Sequence, residues 1–159
     1  MDRNCIGCTL CCEGWLAIDS NGIQASLNNP CVNLSCNLGC NIYYHRPTDP
    51  CGNFKCLWLT DEHNMAPEMK PSITKVVVQE RFVQGWQLPV LAAVATSKDS
   101  LDLEWENLKG IAERKGIFAI ALAYSDDKND LAQKTMRIFG DAKFAETMKT
   151  LFDNRVTIF

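Results

Sequence analysis

Hydrophobic and polar positions change rhythm near residue 57, and beyond it the pattern is regular enough to predict elements. The β-branched run Ser72–Gln79 predicts a strand able to continue to Phe82. Leu91–Thr96, entered from Pro89, predicts a second, short and buried one. Leu101, Trp105, Leu108, Ile111 and Ala112 then recur at helical spacing, with Asp99 or Ser100 able to cap the start. Lys115-Gly116 supplies the basic last turn and the stop. Ile117–Tyr124 reads as an apolar strand, followed by the polar turn Ser125-Asp126-Asp127. Leu131, Met136 and Phe139 predict a second helix ending at Gly140. Asp141 caps a third that buries Phe144, Met148 and Leu151, and Val156–Phe159 predicts a closing strand. Strands and helices mixed in this order describe an α+β region over residues 61–159.

Residues 1–60 read differently. Turn formers interrupt them at Asn21-Gly22, Asn28-Asn29-Pro30, Gly39, Pro47, Pro50 and Gly52. Trp15–Ile18 and Gly22–Ala25 predict two short strands about the turn Asp19-Ser20-Asn21-Gly22. A segment this short and loop-rich calls for cross-linking by metal or disulfide. The expected architecture is α+β: a loop-rich, metal-stabilised Cys-rich segment packed as one compact unit on a small α+β C-terminal half.

Charge narrows the function classes. Lys and Arg total 16 against 19 Asp and Glu, a net charge of −3. That balance argues against a general nucleic-acid binder, which needs a basic surplus to neutralise phosphates. Residues 57–159 carry 13 basic and 15 acidic residues with no basic block, so a protein partner is the better expectation. No apolar run approaches the roughly 20 residues of a membrane span. Met1-Asp2-Arg3-Asn4-Cys5 has no basic stretch leading into an apolar one, so no signal peptide and a cytoplasmic location are expected.

All nine cysteines fall within the first 56 residues, at 5, 8, 11, 12, 31, 36, 40, 51 and 56, and none in the last 103. Only two histidines exist, His45 and His63, so the cluster works mainly with sulfur. Both read as ordinary histidines, with His45 an auxiliary ligand at most. Cys5-x2-Cys8-x2-Cys11-Cys12 directs successive thiols at one centre, as thiolate knuckles do. It is like the start of a bacterial iron–sulfur run, but position 15, where a fourth Cys belongs, is Trp15. The remaining ligands therefore come from residues 31 to 56. Neighbouring Cys11 and Cys12 point apart in extended chain, so one faces the centre while the other faces the interior or a second site. Arg46 can hydrogen-bond to cluster sulfurs or to a carboxylate. A disulfide framework and inert buried thiols are the competing explanations; an odd cysteine count and a core-forming C-terminal half weigh against the first. Trp15, Tyr43, Tyr44 and Trp58 read as packing residues, and Asp102, Glu104 and Glu106 as a solvated helix face.

The ordered set Cys5-x2-Cys8-x2-Cys11-Cys12, Cys31, Cys40-Asn41-Ile42-Tyr43, Arg46-Pro47 and Cys51-x2-Phe54-x-Cys56 resembles the YkgJ-type cysteine-cluster family, or CxxCxxCC family. Cys56-Leu57-Trp58-Leu59 and Pro71 look like its continuation. The resemblance implies a zinc- or iron-chelating domain with Cys5, Cys8, Cys11, Cys12, Cys31, Cys40, Cys51 and Cys56 as the cofactor- and metal-binding residues. Cys36 is extra, and Gly52 stands where the family has Arg. One branch includes flagellin lysine-N-methylase, in much longer chains.

Three functions follow. An iron–sulfur protein, most simply one [4Fe–4S] cluster on four thiolates, would serve electron transfer, redox sensing or structural support. A structural zinc domain would close its tetrahedron with four thiolates and act as a protein-interaction module; eight cysteines could hold two zincs. A protein-modifying enzyme finds no support in catalytic motifs: there is no H-E-x-x-H and no P-loop. No catalytic residue is assigned.

Overall fold

The computed structural model describes residues 3–27, 29–35, 39–124 and 134–153. It contains both helices and strands, as the α+β expectation required. The chain divides into two compact units, Met1–Val77 and Val78–Phe159. Residues 61–77 thus belong with the cysteine-bearing unit.

In the first unit, β1 (Ile18–Ser20) and β2 (Ile23–Ala25) form an antiparallel hairpin with Ile18 opposite Ala25 and Ser20 opposite Ile23. Its turn is Asn21-Gly22, with φ of 49° and 76°, the left-handed pair that matches strand twist in a two-residue loop. The hairpin is where the polar pattern placed it, although its first strand begins at Ile18 rather than Trp15. A second small pair joins β3 (Leu34–Ser35) to β4 (Gly39–Cys40). Two single-turn helices follow, α1 (Leu57–Thr60) and α2 (Pro71–Thr74). The residues expected to start a strand at Ser72 lie instead in α2. Pro71 opens that turn with its fixed φ, and Lys75, at φ 61°, ends it before β5 (Val76–Phe82) begins.

The four-stranded sheet is ordered β5, β6 (Pro89–Ala95), β7 (Phe118–Tyr124), β8 (Lys134–Phe139). β6 and β7 run parallel, joined by α3 (Lys98–Lys115), and β8 returns antiparallel to β7. Leu101, Leu108, Ile111 and Ala112 are the buried face of α3, as their spacing foretold. Its cap is Ser97, not Asp99 or Ser100: Ser97 Oγ accepts the Ser100 N–H at 3.0 Å. Gly116 ends α3 at φ 64°, a left-handed value that costs glycine least.

The segment read as a second helix through Met136 and Phe139 is β8. Spacings of five and three suggested a helix, but the operative period is two. Met136 and Ile138 both pack on the core cluster of Val83, Val90, Ala92, Ile120, Phe144 and Met148. Arg137 between them reaches Asp102 of α3, donating from Nε at 3.0 Å and also from Nη2. Lys98 pairs with the same carboxylate at 2.6 Å. α4 (Ala142–Asp153) is capped by Asp141, whose Oδ1 accepts the Phe144 N–H at 2.8 Å. Phe144 then meets Trp86 and Phe118 with ring centroids 5.0 Å from each. Leu131, the turn Ser125-Asp126-Asp127 and the closing strand Val156–Phe159 lie outside the described residues. No described helix is long and apolar enough to cross a membrane.

Phe144→Ala should destabilise the protein by about 3–5 kcal/mol, and Ser97→Ala by about 1 kcal/mol, in denaturant unfolding. Lys98 and then Arg137 hold the Asp102 carboxyl below its ordinary value. The stability it adds is therefore present above the normal carboxylate pKa and lost as pH falls through the depressed one. Asp102→Asn should lower stability at neutral pH, where the charge is present, and converge with the parent protein at acid pH, which flattens the acid limb.

Candidate metal centre

Cys5, Ile6, Gly7 and Cys8 form a tight turn in which the Cys8 N–H bonds to the Cys5 carbonyl at 2.9 Å. Gly7, at φ 75°, supplies the left-handed residue such a turn needs. The chain then winds through one helical turn: the Glu13 N–H reaches the Thr9 carbonyl at 2.9 Å, and that of Trp15 the Leu10 carbonyl at 3.3 Å. Cys12 lies against the packed group of Ile23, Ala25 and Cys31, which does not include Cys11, so the adjacent pair leaves this turn in different directions. Buried Leu10 pins the turn. Gly14 closes it at φ 90°, and a Cβ there would lie 2.1 Å from the Ser26 carbonyl carbon, just past β2.

Two sets of ties hold the other cysteines. Arg3 donates to the carbonyls of Trp58 and Met65, each at 2.7 Å, with its guanidinium 4.8 Å from the Trp58 ring centroid. Lys70 lies 5.4 Å from the same ring and donates to the Ile6 carbonyl at 3.0 Å. Trp58 Nε1–H donates to the Ala66 and Pro67 carbonyls. The Cys5–Cys8 turn is thereby fastened to the segment that carries Cys56, the residue capping α1. Elsewhere, the Cys31 N–H bonds to the Cys12 carbonyl at 2.8 Å, and Leu34 pairs with Cys40 across β3 and β4. Asp49 accepts from Ser20 Oγ at 2.7 Å and Asn21 Nδ2 at 2.8 Å, which joins the hairpin tip to the turn bearing Cys51. Buried Cys31 packs with Ile23 and Ala25, and Cys12, Ile18 and Cys51 lie against that group.

Seven of the eight cysteines singled out, Cys5, Cys8, Cys11, Cys12, Cys40, Cys51 and Cys56, line one cavity of about 390 Å3, together with Tyr43 and Arg46. Cys31 is buried outside its lining, and Cys36 lies outside the described residues. All eight described thiols are free, so the disulfide alternative finds no bond among them. His45 is exposed and not part of the lining, so the auxiliary ligand suggested by its position is not delivered there. Among the described residues, no three or more His, Cys, Asp or Glu side chains stand as a ready-made site for one metal ion.

Arg46 does what its position suggested: Nη1 donates to Cys5 Sγ at 3.4 Å. Tyr43 Oη and the same sulfur are 3.4 Å apart, and the guanidinium lies 4.5 Å from the Tyr43 ring centroid. Tyr43 is therefore more than the packing residue its sequence context implied. Burial pushes the Cys5 thiol up, but the Tyr43 and Arg46 hydrogen bonds and the Arg46 charge outweigh it, leaving Cys5 below the ordinary thiol value. Every other shifted thiol moves the opposite way. Burial raises Cys8, Cys51 and Cys56, and raises Cys12 to about 12. Cys11 is raised furthest, by burial first and then by the charges of Cys56 and Cys8. Backbone N–H groups of Leu10 and Ser72 face the Cys8 sulfur, and those of Leu59 and Trp58 face that of Cys56. Sulfurs so placed can accept a thiophilic metal in exchange for protons.

No family model matches this chain, and neither does any curated protein or solved structure.

Gly14→Ala should cost roughly 3 kcal/mol, because it adds left-handed strain to a backbone clash at Ser26. Loss of thermal stability without any change in cysteine count would check it. Arg3→Met should loosen the Cys5–Cys8 turn and raise the alkylation rate of Cys56 several-fold in the metal-free chain.

Proposed function

We propose that the first unit is a thiolate-held iron–sulfur module, akin to the YkgJ-type cysteine-cluster family, built most simply around one [4Fe–4S] cluster on four cysteines. The observation that carries this reading is the cavity of about 390 Å3 walled by seven cysteines. Sulfur-only donors favour a soft centre, and a multinuclear cluster suits a wide ring of thiols.

When bound, such a cluster supplies one-electron redox chemistry. The chain's own residues hold its sulfurs and set their charge. Arg46 and Tyr43 hydrogen-bond to Cys5 Sγ, and hydrogen bonds and positive charge at a ligand sulfur favour the more reduced state. Exposed Tyr44, beside Tyr43, stands at the cavity edge. Electron transfer, redox sensing or support of a protein-binding surface in the cytoplasm are the roles this arrangement serves.

Anaerobically purified protein should be brown and contain iron and acid-labile sulfide in equal amounts, about four of each per cubane. Zinc without sulfide would overturn the iron–sulfur reading in favour of a structural zinc module. Cys5→Ser, Cys8→Ser or Cys11→Ser should cost most of the metal, and Cys36→Ser should leave it unchanged. Arg46→Leu should lower the midpoint potential while metal content holds.

A further inference from the structure

Eight cysteines are twice what one cluster or one zinc requires. We infer that they form two separate four-thiolate centres, Cys5, Cys8, Cys11 and Cys56 in one and Cys12, Cys31, Cys40 and Cys51 in the other. The inference rests on the reading of the first unit as a thiolate metal module and assigns its ligands.

The division follows the ties in the backbone. Arg3 and Lys70 fasten the Cys5–Cys8 turn to the stretch around Trp58, two residues beyond Cys56; Tyr43 and Arg46 reach across from the Cys40–Cys51 stretch to the Cys5 sulfur, as side chains around a ligand rather than as ligands. The second group has its own ties. The Cys31 N–H bonds to the Cys12 carbonyl, Cys40 is set opposite Leu34 three residues after Cys31, and Asp49 joins the Cys51 turn to the hairpin whose inner face packs on Cys31. Cys12, Cys31 and Cys51 belong to that one packed group, which contains none of Cys5, Cys8, Cys11 or Cys56.

The adjacent pair is the branch point. The turn over Thr9–Gly14 sends Cys11 and Cys12 in different directions, an arrangement poorly suited to one mononuclear centre and well suited to two neighbouring ones. The centres also differ in setting. Arg46 and Tyr43 bond to a sulfur of the first, while the second is packed against Ile18, Ile23 and Ala25.

Cobalt(II) titration of the reduced full-length chain tests the count, since thiolate-to-cobalt absorption reports each tetrahedral sulfur site. Two equivalents are expected, with all eight thiols then protected from iodoacetamide and Cys36 alone alkylated. One equivalent, with four of the eight still reactive, overturns the two-centre assignment and leaves the single-centre reading standing. If no cobalt binds, anaerobic reconstitution with iron and sulfide gives the count instead: two cubanes per chain support the division, one overturns it, and none overturns the metal-module reading itself. The double variant C8S/C56S should keep one equivalent, protecting Cys12, Cys31, Cys40 and Cys51. C31S/C40S should keep one, protecting Cys5, Cys8, Cys11 and Cys56. A protected set that mixes the groups overturns the division, and the wild-type count decides the number of centres even where a variant fails to fold.

Discussion

The first unit hangs on one indole ring. Trp58 is approached by the guanidinium of Arg3 and the ammonium of Lys70, and both cations also hydrogen-bond to carbonyls of the surrounding chain. A charge-assisted hydrogen bond contributes about 1.5–3 kcal/mol and a cation over an aromatic ring about 0.5–1 kcal/mol. Those are large contributions in a unit whose strands have two or three residues each and whose first two helices have a single turn. The beginning of the chain is held beside residues 58 to 70 by these contacts, and the cysteine turn is positioned by them.

Around that anchor, thiol chemistry and packing pull in opposite directions. Burial and mutual repulsion keep most of the thiols protonated, so the metal-free unit carries little of the charge its donor set can develop. Only Cys5, with a cation and a phenol at its sulfur, is moved toward the thiolate. Under the proposed metal-module reading the unit would gain cohesion when protons are exchanged for a metal, because the same sulfurs that repel one another as anions would be drawn together by the cation. The sheet-bearing unit is built without thiols. Its core is an aromatic and aliphatic cluster of Trp86, Phe118, Phe144 and their neighbours.

What could be read from the sequence follows from how local each signal is. Asn21-Gly22 and Lys115-Gly116 are short motifs whose backbone demands are met within a few residues, so the hairpin and the end of α3 were legible. The apolar stripe of α3 and the Asp141 cap were legible for the same reason. β8 was not, because Met136 and Phe139 fit a helical spacing and only pairing with β7 selects the period of two. Ser97 was missed as a cap by two residues, since Asp99 and Ser100 are equally good cap formers in isolation. Among site residues, Arg46 was foreseen as a sulfur donor. The roles of Arg3 and Lys70 depend on Trp58 and Ile6, more than fifty residues away in sequence, and no spacing rule reports a contact of that length.

The helical turn through Cys11 and Cys12 has a consequence for how such a chain can vary in length. One residue inserted between the two cysteines would turn everything on one side of it and carry a thiol off its heading, and one inserted in the Cys5–Cys8 turn would displace Gly7 from its left-handed position. Longer intervals absorb such a change at small entropic cost wherever they run over the surface. Spacing is therefore fixed within the short cysteine turns and elastic between them.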